Sequence, residues 1–239
     1  MSTAFTLAET LITLGIIGIV AALTIPNMIA KVSEKRDSVR LKKVYASLTQ
    51  AYKLSQEEFG DIKPYLEGYG DKIDWYDNAS HEYFGDYFML FYNGVQRNKK
   101  YSSSWKTSWK NGASIYHVSD SASFAIYNTL DGAAFIFRVL PNYCTSAFGS
   151  FESGVSTCGE IFVDLHSPLK TTDFGTANTN RVVGKNVFLF HATAEGIVPA
   201  GTSNVGKSPL SCYTSAYSCA AWVLKQDNMN YLHKTNLGW

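Results

Sequence analysis

The chain has 239 residues and a formal net charge of +1, and only 17% of its residues are charged, against roughly 25% in typical soluble domains. A charge balance so close to zero provides no bulk basic surface that would indicate nucleic-acid binding. Hydrophobic residues make up 46% of the chain and aromatic residues 14%, which excludes a disordered polymer and predicts a folded body with a sizeable core. The length fits one large domain or two small ones.

The first element is an apolar segment over residues 5–30, in which Glu9 is the single ionisable side chain. A helix that crosses a membrane needs about 20 apolar residues, whereas a cleaved secretory signal has an apolar core of only about 7–15 residues after a basic start. The segment therefore predicts a membrane-spanning helix, with a buried helix of a soluble core as the alternative. Gly15 and Gly18 would let a neighbouring helix approach closely.

A helical pattern resumes beyond Pro26, which lacks a backbone N–H and is expected to kink or loosen the helix one turn upstream. Apolar positions then recur at spacings of three and four, which predicts an amphipathic helix with one face packed on a globular body. Gly60 is the predicted stop, so the segment predicts one long kinked helix over residues 5–59. The recurring apolar positions are Leu41, Val44, Tyr45, Leu48, Ala51 and Tyr52.

The opening residues carry a specific pattern: Ala4, then FTLAET, then the apolar run LITLGIIGIVAALTIP, which ends at Pro26. This pattern resembles the class III signal of type IV pilins and type II secretion pseudopilins. The resemblance implies that a prepilin peptidase cuts between Ala4 and Phe5 and methylates the new amino group of Phe5. It also implies that Glu9 is the family's acidic residue and that Pro26 is its helix-kinking proline.

The resemblance suggests a specific role for Glu9. The implied cut creates an ammonium group at Phe5. In a filament whose apolar helices pack together, Glu9 could pair with that ammonium on a neighbouring subunit. A wrong axial register would leave both charges unpaired in a core of low dielectric constant. The alternative is an acid in the first helical turn that the helix dipole favours.

The predicted fold class is α+β: a long kinked N-terminal helix, membrane-spanning in its first half, packed on a globular head with an antiparallel β-sheet. This is the pilin-like layout that the resemblance implies. The expected divisions are a leader peptide (1–4), a transmembrane or filament-core half-helix (5–30), an amphipathic half-helix (31–59) and the head (60–239). The predicted head elements are a helix at 83–92 with Asn78 or Ser80 as its cap, a hairpin turning at Asp131 and Gly132, strands at 160–166 and 186–193, a turn at 194–196, and a short helix within 218–232.

The four cysteines contain no CxxC pair, and no histidine lies close enough in the sequence to complete a zinc pattern. Of the three connectivities that four cysteines allow, the simplest joins Cys144 to Cys158 and Cys212 to Cys219. Disulfides imply an oxidising compartment, and four free buried thiols in a cytosolic protein are the alternative. The basic residues after the apolar segment favour a cytoplasmic body instead, so charge leaves the orientation open.

Two motifs resemble binding sites, but we favour a structural explanation for each. Residues 201–208, GTSNVGKS, match the phosphate-binding loop pattern. No amphipathic run of helical length follows Lys207, so a Gly/Ser loop is favoured over nucleotide binding. Trp105 and Trp109 lie among lysines and could stack on a glycan or a nucleic acid; an exposed loop with both rings folded onto the body is favoured.

The sequence predicts no catalytic residue, no cofactor and no metal site. Asp164 and His166 could place two ligands on one strand face, but a solvated strand face is the favoured interpretation. Glu160, Asp164 and Asp173 are too few and too widely spaced for a calcium cage. The histidines form none of the common metal or catalytic motifs.

The resemblance implies a structural subunit of a type IV pilus-like or type II secretion pseudopilus filament, and no enzyme activity is expected. Its implied partners are further pilin subunits, a prepilin peptidase and an inner-membrane assembly platform. The implied location is the inner membrane, with a single span and the head outside the cytoplasm, and then the pilus or pseudopilus. The alternative is a single-span anchored binding or adhesion protein that does not polymerise; a membrane-tethered P-loop enzyme is a third, weaker possibility.

Overall fold

The computed structural model describes residues 6–70, 73, 77–101, 106–108, 114–117, 125–140, 144, 156–166, 183–202, 212 and 219–233. We call the folded part beyond residue 60 the head. Its layout with the N-terminal helix is α+β, as the sequence predicted. The helices are α1 (Leu7–Phe59), α2 (Ile62–Glu67), α3 (Asn78–Met89) and α4 (Cys219–Gln226), followed by a 3-10 turn at Asn230–Leu232.

Helix α1 is one uninterrupted helix that passes through Pro26. Thr6 is its N-cap, and Gly60 ends it with a φ of 77°, a left-handed conformation that glycine adopts without steric cost. The backbone N–H of Gly60 donates to the carbonyl oxygen of Gln56 at 3.0 Å. The predicted length of the helix and its stop at Gly60 are therefore confirmed.

Helix α3 begins earlier than the sequence predicted, and a different residue caps it. Asp77 is the N-cap, and its carboxylate accepts a hydrogen bond from the backbone N–H of Ser80 at 3.1 Å. The predicted caps, Asn78 and Ser80, lie inside the helix instead. The prediction failed because Asp77 has the same capping chemistry and immediately precedes them.

The described strands form one six-stranded antiparallel sheet in the order β1-β4-β5-β6-β7-β8 and a separate β2–β3 hairpin. The predicted hairpin at Asp131 and Gly132 is confirmed, as are the strands on both sides of the turn at 194–196. The strands are β1 (Val95–Tyr101), β2 (Lys106–Ser108), β3 (Ser114–His117), β4 (Ala125–Thr129), β5 (Ala134–Val139), β6 (Thr157–Asp164), β7 (Val187–Thr193) and β8 (Gly196–Pro199).

Helices α1 and α3 cover one face of the sheet, and aromatic rings fill the space between the layers. Tyr45 of α1 stacks on Phe190 of β7 with ring centroids 5.7 Å apart, and Phe88 of α3 stacks on Phe137 of β5 at 5.5 Å. Tyr52 joins the two helices through Phe88 and donates to the carbonyl oxygen of Thr193 at 3.1 Å. Burial raises the pKa of Tyr52 to about 12, so this hydroxyl remains a donor at physiological pH.

Candidate assembly site: the N-terminal helix and its attachment to the head

In the described part of the chain, nothing packs over the first half of α1. Its large apolar side chains, from Leu7 to Val32, are between 52% and 78% exposed. A Cβ atom added at Gly15 or Gly18 would meet nothing within 4 Å. By length and composition this helix could cross a membrane. It therefore presents an apolar surface that water does not solvate favourably and that needs lipid or another protein surface.

Glu9 lies in the first turn of α1 and forms a capping box with Thr6. Its Oε2 accepts hydrogen bonds from the backbone N–H and the hydroxyl of Thr6, both at 2.9 Å. The Thr6 Oγ1 in turn accepts from the backbone N–H of Glu9 at 3.3 Å. A carboxylate has about four acceptor positions, and the Oε1 oxygen has no hydrogen bond with the described residues, so Glu9 keeps capacity for a further donor. The predicted cleavage residues, Ala4 and Phe5, lie outside the described residues.

The second half of α1 is tied to the head by a cluster that we call the clamp, centred on Asp227. Lys35 Nζ lies 2.6 Å from Asp227 Oδ2, Lys42 Nζ lies 2.9 Å from Oδ1, and the Ser38 hydroxyl donates to Oδ1 at 2.9 Å. These three donors lie on one face of the helix because they are spaced by three and four residues. They hold the pKa of Asp227 well below its usual range, with the Lys35 hydrogen bond as the largest cause.

Backbone geometry strengthens the assignment of the clamp to Asp227. Its φ is 55°, in the left-handed region that favours glycine, and its backbone N–H donates to the carbonyl oxygen of Val223 at 3.0 Å, closing the end of α4. Aspartate is tolerated in this conformation more readily than most residues. The residue that ends α4 is thus also the residue that binds Lys35, Ser38 and Lys42 of α1.

Three further contacts attach the same stretch of α1 to other parts of the head. His166 Nε2 lies 2.8 Å from Asp37 Oδ1, and His233 Nε2 lies 2.8 Å from Glu34 Oε1. Arg40 donates to the carbonyl oxygen of Asp131 at the β4–β5 turn. Every turn of α1 from residue 34 to residue 42 therefore has a polar partner in the head.

The predicted solvated face at Asp164 and His166 is wrong for Asp164, whereas His166 is exposed. Asp164 is buried, and its Oδ1 accepts a hydrogen bond from the backbone N–H of His166 at 3.0 Å. This turn directs the His166 ring towards Asp37 of α1. Asp164 is the last residue of a strand that is buried on both faces. It orients His166, and His166 attaches α1 to the head.

The second face of the sheet carries a row of polar side chains across three strands, of which Glu160 and His191 are buried and Arg138 is half-buried. Arg138 Nε lies 3.3 Å from Glu160 Oε2, and Glu160 is paired in register with His191. Burial raises the pKa of Glu160, and Arg138 opposes that rise. Burial lowers the pKa of His191 to about 4, so the ring is neutral near pH 7. Neither ring nitrogen of His191 has a hydrogen-bond partner in the described part of the chain.

The structure pairs Cys144 with Cys158 and Cys212 with Cys219, which is the consecutive pairing that the sequence predicted. Cys219 is the first residue of α4, so the second disulfide lies directly before the helix that ends in the clamp. Disulfide bonds persist in oxidising compartments.

The remaining predicted motifs are only partly described. Lys207, Trp105, Trp109 and Asp173 lie outside the described residues, although Lys106–Ser108, between the two tryptophans, form strand β2 rather than the predicted loop. His81 is buried, and its Nδ1 accepts from the backbone N–H of Val139 at 3.1 Å. Among the described residues, no three His, Cys, Asp or Glu side chains are grouped so that they could hold a metal ion.

The sequence predictions did not include the clamp. In the sequence, Lys35 and Lys42 stand out only as members of the basic residues that follow the apolar segment. The spacing of Lys35, Ser38 and Lys42 does mark one polar face, but no feature of the sequence indicates that Asp227, far along the chain, lies against it.

Comparison of the chain with protein-family models, with curated proteins and with solved structures finds no match. The structure alone therefore describes the kind of protein: a head that carries a long helix whose first half is apolar and exposed.

Proposed function

We propose that this chain is a structural subunit of a filament of the type IV pilus or type II secretion pseudopilus kind. A prepilin peptidase would cut it before Phe5. The subunit would first be held in the inner membrane by a single span, with its head outside the cytoplasm. It would then be assembled into the filament.

One observation carries the proposal: α1 is a single continuous helix whose first half is fully uncovered and whose second half is fixed to the head. A plain membrane anchor needs no rigid connection to its head. A filament subunit does need one, because a rigid helix fixes the position of the head relative to the filament core in which the apolar halves pack. The pilin-like signal around Phe5 and Glu9 and the two disulfides also support this function.

In the proposed filament, Glu9 pairs with the ammonium group of Phe5 on a neighbouring subunit. Its capping box with Thr6 accounts for Glu9 within one chain, so the two roles must be separated by experiment. Glu9→Gln retains a side chain that can complete the capping box but removes the charge. Thr6→Val is the converse variant, because it removes the capping hydroxyl and leaves the Glu9 carboxylate in place.

The experiment counts filaments by electron microscopy in the native host, with membrane insertion and N-terminal cleavage checked by fractionation and mass. We expect Glu9→Gln to insert and to be cut but to form few filaments, and Thr6→Val to form filaments. Normal filament numbers from the cut Glu9→Gln protein would refute the pairing role. If only the cleaved Thr6→Val protein loses its filaments, Glu9 acts in helix capping.

A further inference from the structure

One line of residues on α1 faces away from the head and extends along the whole second half of the helix. Its members follow one another at intervals of three, four or seven residues, which places them on a single line along a helix. It lies opposite the buried face that contains Leu41, Leu48 and Ser55. We call this line the outer stripe, and all of its members are exposed: Ile25, Val32, Arg36, Val39, Lys43, Ala46, Gln50, Leu54 and Glu57.

The basic and the acidic residues lie in different parts of the outer stripe. Arg36 and Lys43 lie in the part nearer the apolar half, and Glu57, with Glu58 beside it, lies at the far end. Among the described residues, Lys43, Glu57 and Glu58 have no ion pair or hydrogen bond from their side chains. Arg36 forms a long ion pair with Asp37, with Nε and Oδ1 3.7 Å apart, and Asp37 also binds His166.

These charges differ from the other charges on the same helix. Lys35, Arg40 and Lys42 are all engaged with Asp227 or Asp131 of the head. The helix therefore uses one set of basic residues to hold its own head and leaves a second set on the side that faces away from the head. Val32 and Val39, which are 68% and 55% exposed, alternate with that second set and supply apolar contact area.

We infer that the outer stripe binds a second copy of this chain, with the basic part of one copy lying on the acidic end of the other. The inference rests on the proposed function, because in a filament the apolar halves of the copies pack together in the core and their helices are parallel. Parallel copies at the same height would oppose Arg36 to Arg36 and Lys43 to Lys43, which electrostatics disfavours. A displacement of about 20 to 30 Å along the axis, at 1.5 Å per residue, brings Lys43 or Arg36 to Glu57.

Lipid headgroups are the competing partner for the basic residues, but they do not account for the whole stripe. Glu57 and Glu58 lie about 30 Å further along the helix from Arg36, well beyond the reach of a headgroup layer. A second copy satisfies both ends of the stripe at once, because each end supplies the charge that the other end lacks.

Cysteine cross-linking tests the contact directly, because all four native cysteines are held in disulfides and introduced cysteines are the only free thiols. Two double variants are made in the full chain: Arg36→Cys with Glu57→Cys, and Lys43→Cys with Glu57→Cys. Within one copy the two positions are at least about 20 Å apart on one helix, far outside disulfide distance, so any bridge joins two copies.

We expect mild oxidation of assembled filaments to link chains in at least one double variant and in none of the three single variants. Dimers from single Arg36→Cys or Lys43→Cys would indicate copies at equal height and would overturn the inference. Links in the pair Lys43→Cys with Gln50→Cys would indicate antiparallel helices or a parallel displacement of only about 10 Å, and either would overturn the inference.

A charge exchange separates the inference from the proposed function. Arg36→Glu with Lys43→Glu should abolish filaments, and adding Glu57→Lys with Glu58→Lys should restore them. If the wild-type chain forms filaments and the reversed variants do so equally well, with no cross-link in either double variant, the stripe contact is refuted and the proposed function stands. If the wild-type chain forms no filament or oligomer in its native host, both are refuted.

Discussion

The two halves of α1 share one backbone and have opposite surroundings. Leu11, Leu14 and Leu23 in the first half are each more than 60% exposed, whereas Leu41 and Leu48 in the second half are completely buried. The second half is therefore stabilised by the head, since tertiary packing of an apolar face supplies most of the stability of a helix in a folded protein. The first half has the same need for burial and must meet it outside its own chain.

The first turns of the second half are fixed by charge as well as by the packing of Leu41. Residues 34–42 carry the clamp and the contacts to Asp131, His166 and His233. Exposed ion pairs are individually weak, but several pairs on consecutive turns set the position of a helix against its support. This arrangement sets the direction in which the apolar half leaves the head.

The strongest test of the contrast uses the same substitution in both halves. Leu48→Ala removes a completely buried side chain from the layer between α1 and the sheet and should lower the free energy of unfolding of the head by about 2–5 kcal/mol. Leu14→Ala is the matched control, and it should change that free energy by less than about 0.5 kcal/mol because Leu14 is exposed. Urea unfolding in detergent, followed by tryptophan fluorescence, measures both. Equal effects of the two variants would contradict the division of the helix.

Acid should destabilise the head through His191, with no direct effect on the apolar half. The pKa of His191 is lowered to about 4 in the folded chain, whereas an unfolded histidine titrates near 6.5. Between these values the unfolded chain binds more protons, so stability falls as the pH falls, by up to about 3 kcal/mol. Unfolding curves at several pH values should show this slope in the wild type and a reduced slope in His191→Leu. The raised pKa of Glu160 acts with the opposite sign in both proteins, so their difference reports His191. Parallel slopes would contradict the assignment.

A third comparison uses two glycines. A Cβ atom at Gly159 would lie 2.4 Å from the Phe84 ring and 2.8 Å from the carbonyl oxygen of Arg138, so Gly159→Ala should cost about 1–3 kcal/mol by overpacking. Gly15→Ala places its methyl group in open space and removes a flexible residue from a helix, so it should leave the head unchanged. Thermal unfolding monitored by near-ultraviolet circular dichroism compares them. A wild-type melting temperature for Gly159→Ala would show that α3 does not pack this closely on β6.

The smallest expected effect concerns the clamp. Asp227→Asn keeps a residue that tolerates the left-handed backbone but removes the charge that Lys35 and Lys42 bind. Hydrogen exchange should become faster in residues 34–42 and remain unchanged in the core of the sheet. Because the pKa of Asp227 is held well below its usual range, the carboxylate's contribution to stability is present above about pH 4 and is lost as the pH falls further. Glu195→Gln, an exposed carboxylate on the β7–β8 turn, is the control; equal exchange in both variants would contradict a role for the clamp.

Local patterns predicted much of this fold. The apolar run, the spacing of Leu41 to Tyr52, Gly60, and the turn at Asp131 and Gly132 are signals within a few residues of one another, and the corresponding elements are confirmed. Strand β1 was not predicted because its sequence, VQRNKKY, lacks the alternation of a half-buried strand. The contacts of Asp37 with His166 and of Lys35 with Asp227 join distant parts of the chain, so no local pattern could reveal them.

If the apolar half of α1 is a processed filament core, chains recovered from the native host start at Phe5 and carry one methyl group on the amino nitrogen. The mass of the N-terminus measures this. An intact Met1 on chains recovered from the membrane and from any assembled material would refute the proposed function, and would leave α1 as the anchor of a protein that does not polymerise.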